Sequence, residues 1–579
     1  MKDQTGRFSL AALTLAVIFS AATIAAQCFS DNFPSIVQQF SGTTAVIVAL
    51  LLGLVLAFTF YFILTKTFNF VDTRLAEQSG RGEPGHTEAH TRTHLHKLSW
   101  LNPLDRLMDQ YGTLVYAAII LICWLPWLVV FFPGNVYSDG FRMIYDIKNE
   151  AFSSWHPLFP ALILSALYDL GNTINNNLGV FTIIIVEAVL NLAVYTYLLK
   201  KMERMGTSRR LCLAGALFFG IVPLFATIST TVWADAFYLP CFIIFVIKLI
   251  DCLLADPAIK TRDALLMALV GVLLCLLRKE GIYVCAATLM VLFVVVKAWE
   301  KLKVVGILAI LGASYLLSAT LGLTTTGVDD DRVSLEMLSI PMQQTARYLA
   351  TYPDDVSTAE QEIINGVFIY SPNVPIADKY NPWTADAIKG FGLSVPRHDL
   401  EDYLAIWVHM GIRHPNVYID SVLASTYGYY SPLGWLDQYG TGPYEIIKAD
   451  SYGPGVYDDV FDFEPEYVAD EHLRYLASRY AFYWRIIPPL SWLSTPGLYV
   501  WILLFLSALL IRRRRFPALV AFVPAFMIFL ICLAGPVNGF IRYAAPLLVS
   551  APLLAAFTRY CLHSQNHRLA RSKPPQIAE

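Results

Sequence analysis

The stretch TTAVIVALLLGLVLAFTFYFILT, residues 43–65, contains no charged side chain. A helix needs roughly 20 mostly apolar residues to cross the hydrocarbon core of a bilayer, and this stretch meets that length. Similar runs recur along the 579-residue chain, which is 56% hydrophobic and only 15% charged. Soluble domains carry about 25% charged residues. The sequence therefore predicts an all-α polytopic membrane protein.

Twelve apolar runs are predicted to be transmembrane helices. They are residues 8–28, 43–65, 112–132, 178–199, 211–229, 233–254, 263–277, 281–298, 304–322, 489–511, 516–534 and 543–558. Because Lys2 and Arg7 precede the first run and many spans follow it, we expect an uncleaved helix rather than a signal peptide.

The distribution of Lys and Arg predicts which loops face the cytoplasm, because short cytoplasmic loops are enriched in these residues. Basic residues cluster near the N-terminus, at 66–110, 200–210, 260–262, 297–303 and 512–515, and in the tail after 559. Twelve spans place all these clusters on one side, with both termini in the cytoplasm. The apolar stretch from Leu158 to Leu170 is then expected to lie in the outer interface without crossing.

These boundaries predict six parts of the chain. They are two N-terminal helices at 1–66, a cytoplasmic His-containing linker at 67–110, a transmembrane core at 111–322 with its first outer loop at 133–177, an extracytoplasmic domain of mixed structure at 323–488, three C-terminal helices at 489–558 and a cytoplasmic tail at 559–579. Within the outer domain, we predict helices at 355–366 and 399–412.

Composition argues against several functional classes. A net charge of -3 is too small to indicate nucleic-acid binding, and the nine cysteines form no CxxC pair that would suggest a zinc site or a disulfide framework. No Walker A, HExxH or GxGxxG motif indicates an ATP-driven pump, a metalloprotease or a dinucleotide enzyme. His86, His90, His94 and His96 have helical spacing that could bind a metal, although a solvated linker explains them more simply.

Two acids and a histidine are candidate catalytic residues. Asp139 lies in PGNVYSDG, residues 133–140, and His156 in WHP, residues 155–157; Asp235 lies in WAD, residues 233–235. An acid and a histidine on one outer segment suit proton abstraction at a membrane surface. The alternative is that each acid caps the helix that follows it.

Three basic residues are predicted to face outward, against the general charge bias. Arg278 and Lys279 lie in a tight turn, and Arg542 opens the last span. Charges beside apolar helices are costly, and an anionic, lipid-linked ligand would offset that cost. The alternative is a set of unrelated surface charges with snorkelling side chains.

The first outer loop resembles that of the GT-C superfamily of membrane glycosyltransferases, which carry a catalytic aspartate in this loop. More closely, the chain is similar to an uncharacterised multipass family of Gram-positive bacteria, over about residues 130–560. The matching segments are Asp139 with HP at 156–157, WAD at 233–235, RKEGIY at 278–283, SIPMQQTAR at 339–347, HPNVYI at 414–419 and FIRYAAP at 540–546.

The resemblance implies a transferase of the bacterial plasma membrane that moves a sugar from a polyprenyl-phosphate donor to an envelope glycan, lipid or protein. It assigns catalysis to Asp139, Asp235 and His156, and donor-phosphate binding to Arg278, Lys279 and Arg542. Gln343, Gln344 and Arg347 are expected to contact the acceptor. The expected partners are the sugar lipid, membrane lipids and the acceptor, with no nucleic acid.

The first outer loop departs from the transferase pattern, because Gly140 follows Asp139 where many of these enzymes have an Asp-Glu pair. No metal ligands are predicted, and a divalent cation is the one cofactor left open. A flippase or transporter of a lipid-linked glycan, and a non-catalytic scaffold for envelope assembly, remain alternatives.

Overall fold

The computed structural model describes residues 9–29, 42–80, 102–136, 138–150, 156–255, 259–326, 332–334, 338–368, 375–386, 388, 394–431, 466–535 and 537–571. The N-terminal half contains α1 Leu10–Phe29, α2 Gly42–Gly80, α3 Asn102–Val130, β1 Asn135–Val136, α4 Ser138–Lys148, α5 Leu158–Asn172, α6 Asn176–Arg204, α7 Arg209–Ile221, α8 Pro223–Ile228, β2 Thr231–Val232, α9 Asp235–Leu254 and α10 Thr261–Leu277. The C-terminal half contains α11 Gly281–Val295, α12 Lys301–Thr326, β3 Arg332–Ser334, α13 Ser339–Thr351, α14 Thr358–Val367, β4 Ser394–Pro396, α15 Arg397–Arg413, α16 Pro415–Thr426, α17 Glu471–Ile486, α18 Pro496–Arg512, α19 Val523–Ala534 and α20 Ile541–Arg571.

The described part of the chain contains seven helical segments that are long and apolar enough to cross a membrane. They are Gly42–Arg74, Gln110–Val130, Asn176–Arg204, Asp235–Leu254, Ala298–Ser318, Phe516–Ala534 and Ile541–His563. The apolar helices Leu10–Ala26, Leu158–Asn172, Gly281–Val295 and Pro496–Arg512 are shorter. The chain is thus an all-α membrane protein by helix length and composition.

Five of the twelve predicted spans, 8–28, 211–229, 263–277, 281–298 and 489–511, are not among these seven segments. The run 211–229 is divided between α7 and α8, because Pro223 has no N–H to continue the ladder and begins a new helix. In the run 489–511, the α-helix begins only at Pro496. In the predicted linker 67–110, α2 continues to Gly80 and α3 begins at Asn102; the four linker histidines lie outside the described residues.

The centre of the bundle is α9, which packs against α6, α10 and α20. Its side chains are buried on every face, from Phe237 to Ile250, as expected for a helix that is apolar all round. Helices α5 and α6 are joined by a short turn and pack as an antiparallel pair, in which Gly171 lies against Leu178 and Gly179 against Tyr168. The structure therefore packs the Leu158–Leu170 segment directly on a spanning helix.

The described residues between 332 and 431, which belong to the predicted extracytoplasmic domain and which we call the outer segment, have their own apolar core. Strands β3 and β4 pair antiparallel, and helices α13 to α16 bury Met342, Tyr348, Ile364 and Tyr403 among them. Helices α14 and α15 match the pieces predicted at 355–366 and 399–412. A backbone bridge between Thr384 and Val537 fastens this segment to the turn before α20.

The N-terminal pair α1 and α2 packs on α18. At one end of this contact, the Arg512 Nη2 atom lies 2.9 Å from Asp72 Oδ2, and Arg513 pairs with the same carboxylate. Two helices that lie outside the family resemblance are thereby held to the bundle by apolar packing and a shared acid.

Candidate functional site

Arg542 joins the two acids that the sequence singles out. Its Nη1 atom donates to Asp139 Oδ2 at 2.6 Å, and its Nε atom donates to Asp235 Oδ2 at 2.5 Å. Arg542 is 9% exposed and Asp235 is 8% exposed. A buried ion pair is stable only where close geometry and further hydrogen bonds offset the cost of removing its charges from water. Removing one of these three charged groups would therefore leave another without that compensation.

Arg278 supplies a second cation to the same centre. Its Nη1 atom donates to Asp235 Oδ1 at 2.8 Å, and its Nε atom lies 3.5 Å from Glu280 Oε2. Both oxygens of Asp235 are therefore bound by arginine. The first outer loop, the start of α9, the α10–α11 turn and the start of α20 meet at this point, which we call the outer cluster (Asp139, Asp235, Arg278 and Arg542).

Aromatic rings flank both guanidinium groups. The Arg542 Cζ atom lies 5.0 Å from the centre of the Trp233 ring, and the Arg278 Cζ atom lies 5.4 Å from the Tyr238 ring. Tyr543 stands between them, at 5.9 Å from Arg542 and 5.7 Å from Arg278. Cations over ring faces gain electrostatic attraction, and the rings fix the plane of each guanidinium.

Two close backbone approaches position the acids. Strands β1 and β2 pair in parallel, with Asn135 opposite Thr231. Gly140 lies so close to this pair that a Cβ atom on it would be 2.0 Å from the Val232 carbonyl oxygen. Glycine is therefore required beside Asp139, which explains why an Asp-Glu pair is absent. Asp139 lies in the first turn of α4, and its carboxylate is used by Arg542.

Each of the two arginines borders a turn that is fixed by close contacts. A Cβ atom on Gly281 would be 2.1 Å from the Leu274 carbonyl oxygen, so α10 and α11 close on each other directly after Arg278. The turn before Arg542 is held from the outer segment, because Asn538 N–H donates to the Trp383 carbonyl at 2.8 Å. Gly428 N–H also donates to Asn538 Oδ1 at 2.7 Å.

The space left inside the outer cluster is small. It is lined by Ile228, Trp233, Asp235, Tyr238, Leu239, Arg278, Arg542, Ala545 and Pro546. The centre of a water molecule has about 10 Å³ available there, which is room for about one water. We call this the closed arrangement, because the N–H groups of Arg278 and Arg542 are bound by carboxylates and little space remains for a ligand.

His156 and Lys279 lie at the edge of this centre. Burial lowers the pKa of His156 to about 4; Asp139 opposes this shift, while Arg542, Lys279 and Arg142 reinforce it. His156 is accordingly neutral at pH 7 and lies within electrostatic range of Asp139. Lys279 is exposed and follows the half-buried Arg278. Trp155, which precedes His156 in the WHP motif, lies outside the described residues.

The three predicted acceptor-contact residues form hydrogen bonds within the outer segment and not with the outer cluster. They are Gln343, Gln344 and Arg347. The Gln343 amide donates to the Asn381 carbonyl at 2.8 Å, and Gln344 Oε1 accepts from Trp407 at 3.0 Å. Arg347 bonds Tyr380 at 2.9 Å. Both glutamines are buried, because α13 packs on α15 and α16. Acceptor contact by these three residues stays a prediction.

The sequence reasoning missed two buried polar residues behind Asp235. Glu187 and Asn191 lie one turn apart on α6 and are both 0% exposed. Glu187 Oε1 accepts from the Trp233 backbone N–H at 3.5 Å, and Asn191 donates to the carbonyls of Glu187 and Ala236, each at 2.9 Å. The signal was present, because Glu187 is the single acid in the predicted span 178–199.

Two acids of the outer cluster are bridged by an arginine in this structure. The position between Asp139 and Asp235 is filled by the guanidinium of Arg542, which already supplies positive charge. Among the described residues, no group of three or more His, Cys, Asp or Glu could hold a metal ion.

Comparison with known proteins gives one match. A family model described as "Family of unknown function (DUF6020)" matches residues 144–573, which include Asp235, Arg278 and Arg542 and begin just after Asp139. No curated protein and no solved structure matches the chain. Because the model covers most of the sequence, the chain belongs to this family of unknown function.

Proposed function

We propose that this protein is a membrane glycosyltransferase that uses a polyprenyl-phosphate sugar on the outer face of the bacterial plasma membrane. The proposal includes all twelve predicted spans, a GT-C-like bundle and cytoplasmic termini. One observation carries it: two acids and two arginines from four separate segments meet at one end of an apolar bundle.

The donor phosphate would take the place of Asp139 on Arg542 and bind Arg278 beside it, while Asp235 keeps both arginines in position. Arg278 and Arg542 offer paired N–H groups of the kind that match phosphate oxygens. In the closed arrangement Asp139 is bound to Arg542, so its carboxylate is not available to an acceptor hydroxyl. When phosphate binds Arg542, Asp139 is released beside the reacting centre, so donor binding and base activation occur together.

The reaction balances with the groups at hand. Asp139 takes the proton of the acceptor hydroxyl, whose oxygen forms a bond to the anomeric carbon of the sugar. The bond from that carbon to the phosphate oxygen breaks, and polyprenyl phosphate leaves with the electron pair. Arg278 and Arg542 stabilise the negative charge as it develops. Asp235 holds both arginines in position, and neutral His156 borders the acceptor side.

The test is transfer of labelled sugar by membranes that contain the Asp139→Asn variant. We expect a loss of at least 100-fold, as is typical when a general base is removed. Asp169→Asn is the matched control, because Asp169 is an outer-end acid that is half exposed and pairs with Lys148. Wild-type transfer by Asp139→Asn would remove this residue from the mechanism.

A lipid-linked glycan transporter is the second candidate, and Glu187 favours it. Ionisable residues inside spanning helices commonly mark transport or proton pathways, and Glu187 lies about 16 Å along α6 from Asn176, at about 1.5 Å per residue. Proteoliposomes distinguish the two functions. Movement of a fluorescent lipid phosphate without sugar transfer, retained by Asp139→Asn, would support the transporter.

A further inference from the structure

Asp235 and Glu187 are neighbouring acids with different surroundings. Asp235 receives hydrogen bonds of 2.5 and 2.8 Å from two arginines. Glu187 receives a bond of 3.5 Å from the Trp233 backbone N–H. Hydrogen bonds from charged donors to carboxylates are about 2.7–2.9 Å long. Asp235 is therefore ion-paired, whereas Glu187 has one long contact to an uncharged backbone N–H and, among the described residues, no bond from a cation.

Two orphaned oxygen atoms lie on adjacent turns of α6. Glu187 Oε2 and Asn191 Oδ1 are both buried and have no hydrogen-bond partner. The Asn191 amide nitrogen is committed to the carbonyls of Glu187 and Ala236, which directs its oxygen as an acceptor. Residues four apart on a helix are neighbours. One hydrogen on the Glu187 carboxyl would satisfy both oxygens.

The charges around Glu187 point the same way. Asp235 of α9 acts on it directly, and Arg542 of α20 is neutralised by its bonds to Asp235 and Asp139. Helices α3, α5 and α7 bury Tyr116, Tyr168 and Cys212, which are uncharged between about pH 5 and 8. An ionised carboxylate without a cation is expensive in such a setting.

We infer that Glu187 is a proton-binding site inside the bundle, which holds its proton at neutral pH and shares it with Asn191. In this neutral form, Glu187 is a positioning residue for the turn from Trp233 to Asp235. The positioning role rests on the proposed function, because it matters through Asp235, whereas proton binding does not.

The first experiment measures thermal unfolding of the purified full chain in detergent at pH 5 and pH 8. An ordinary carboxyl in the unfolded chain loses its proton above about pH 4.3. Folding must then restore that proton to Glu187, and this cost grows as the pH rises. We expect Glu187→Gln to melt at a higher temperature than wild type at pH 8, with a smaller difference at pH 5.

The matched control is Glu300→Gln. Glu300 is also buried, at 4% exposure, but its Oε2 atom lies 3.0 Å from Lys303 Nζ. Neutralising an ion-paired acid removes an attraction, so this variant should melt lower than wild type at both pH values. A Glu187→Gln variant that is less stable, equally stable or offset by the same amount at both pH values would overturn the inference.

A second experiment needs no variant. Infrared spectra of wild-type protein with ¹³C-labelled glutamate carboxyls should contain, at pH 7, a protonated-carboxyl C=O band that shifts in D₂O. Stabilisation by added Na⁺ together with absence of this band would instead assign the orphaned oxygens to a cation and overturn the proton site. Neither readout depends on sugar transfer, so each can fail or succeed independently of the proposed enzyme.

Discussion

The two ends of α9 carry ion-pair networks of the same formal composition but different construction. At the outer end, Asp235 is bound by Arg278 and Arg542. At the inner end, Asp251 is bound by Lys201 and by Lys248, which also lies 3.0 Å from Asp263. We call this second set, Lys201, Lys248, Asp251 and Asp263, the inner cluster.

The inner cluster joins α6, α9 and α10 through lysines. The outer cluster spans 403 residues of sequence between Asp139 and Arg542, uses arginines, and places aromatic rings over both of them. Asp251 also keeps 21% side-chain exposure, against 10% for Asp235. Charge alone is therefore uninformative here. Planar arginines, aromatic contacts and long sequence separation distinguish a candidate functional site from a helix-end fastening.

The largest expected effect is that of Arg542→Met. It removes the ion pair of Asp139 and half of the cation shell of Asp235, and stranding a partner of a buried pair costs about 3–5 kcal/mol. We expect a strongly lowered melting temperature and no sugar transfer. An effect as small as that of an inner-cluster lysine would make the two ends of α9 equivalent.

Gly140→Ala should have the next largest effect. The new methyl group would overlap the Val232 carbonyl, forcing β1 and β2 apart at a cost of about 1–3 kcal/mol, and should lower transfer by displacing Asp139 from Arg542. Gly306→Ala is the control, because nothing lies within 4 Å of its added Cβ. Equal melting temperatures for the two variants would contradict the close approach.

The pH dependence of His156 gives a smaller effect. Its pKa is about 4 in the folded chain against an ordinary 6.5, so below pH 6.5 the unfolded chain binds a proton that the folded chain does not. Stability should therefore fall as the pH drops from 6.5 towards 4, by on the order of 1 kcal/mol at pH 5.5. Chemical denaturation at pH 8 and 5.5, with His156→Gln as the comparison, measures this loss, which should be smaller in the variant.

The smallest expected effect is that of Lys201→Met in the inner cluster. Asp251 keeps its bond to Lys248 at 2.9 Å, so no acid there loses its last described cation. We expect a change of about 1 kcal/mol or less and unaltered sugar transfer. Loss of transfer would show that the inner end of α9 also serves the site.

Much of the outer cluster was predictable from sequence because its members border apolar runs. Asp139, Asp235, Arg278 and Arg542 were each selected as charges at the outer ends of predicted spans, and the structure brings them together. Their mutual pairing was not predictable, because it depends on four helix ends converging. Local patterns specify only that each charge begins or ends a helix.

Other parts of the fold depend on tertiary contacts that composition does not encode. Glu187 was hidden in an apolar run, where one acid barely alters the average hydropathy. The division of the run 211–229 into two helices at Pro223 is predictable from the proline, because proline often starts a helix. The apolar composition gives no sign of it, because the run continues through Pro223. Gln343 and Gln344 were expected on a binding surface, and the packing of α13 instead buries them.

The bonds from Asn538 and Val537 to Trp383 and Thr384 connect the turn before Arg542 to a segment that is predicted to lie outside the membrane. A peptide or antibody fragment that binds here and displaces the Trp383–Asn538 contact would move the backbone four residues from Arg542. It would not have to enter the bilayer. If this segment faces outward as proposed, an inhibitor of this protein does not have to be small or hydrophobic enough to enter the membrane. Large water-soluble molecules would then inhibit the protein from outside the cell.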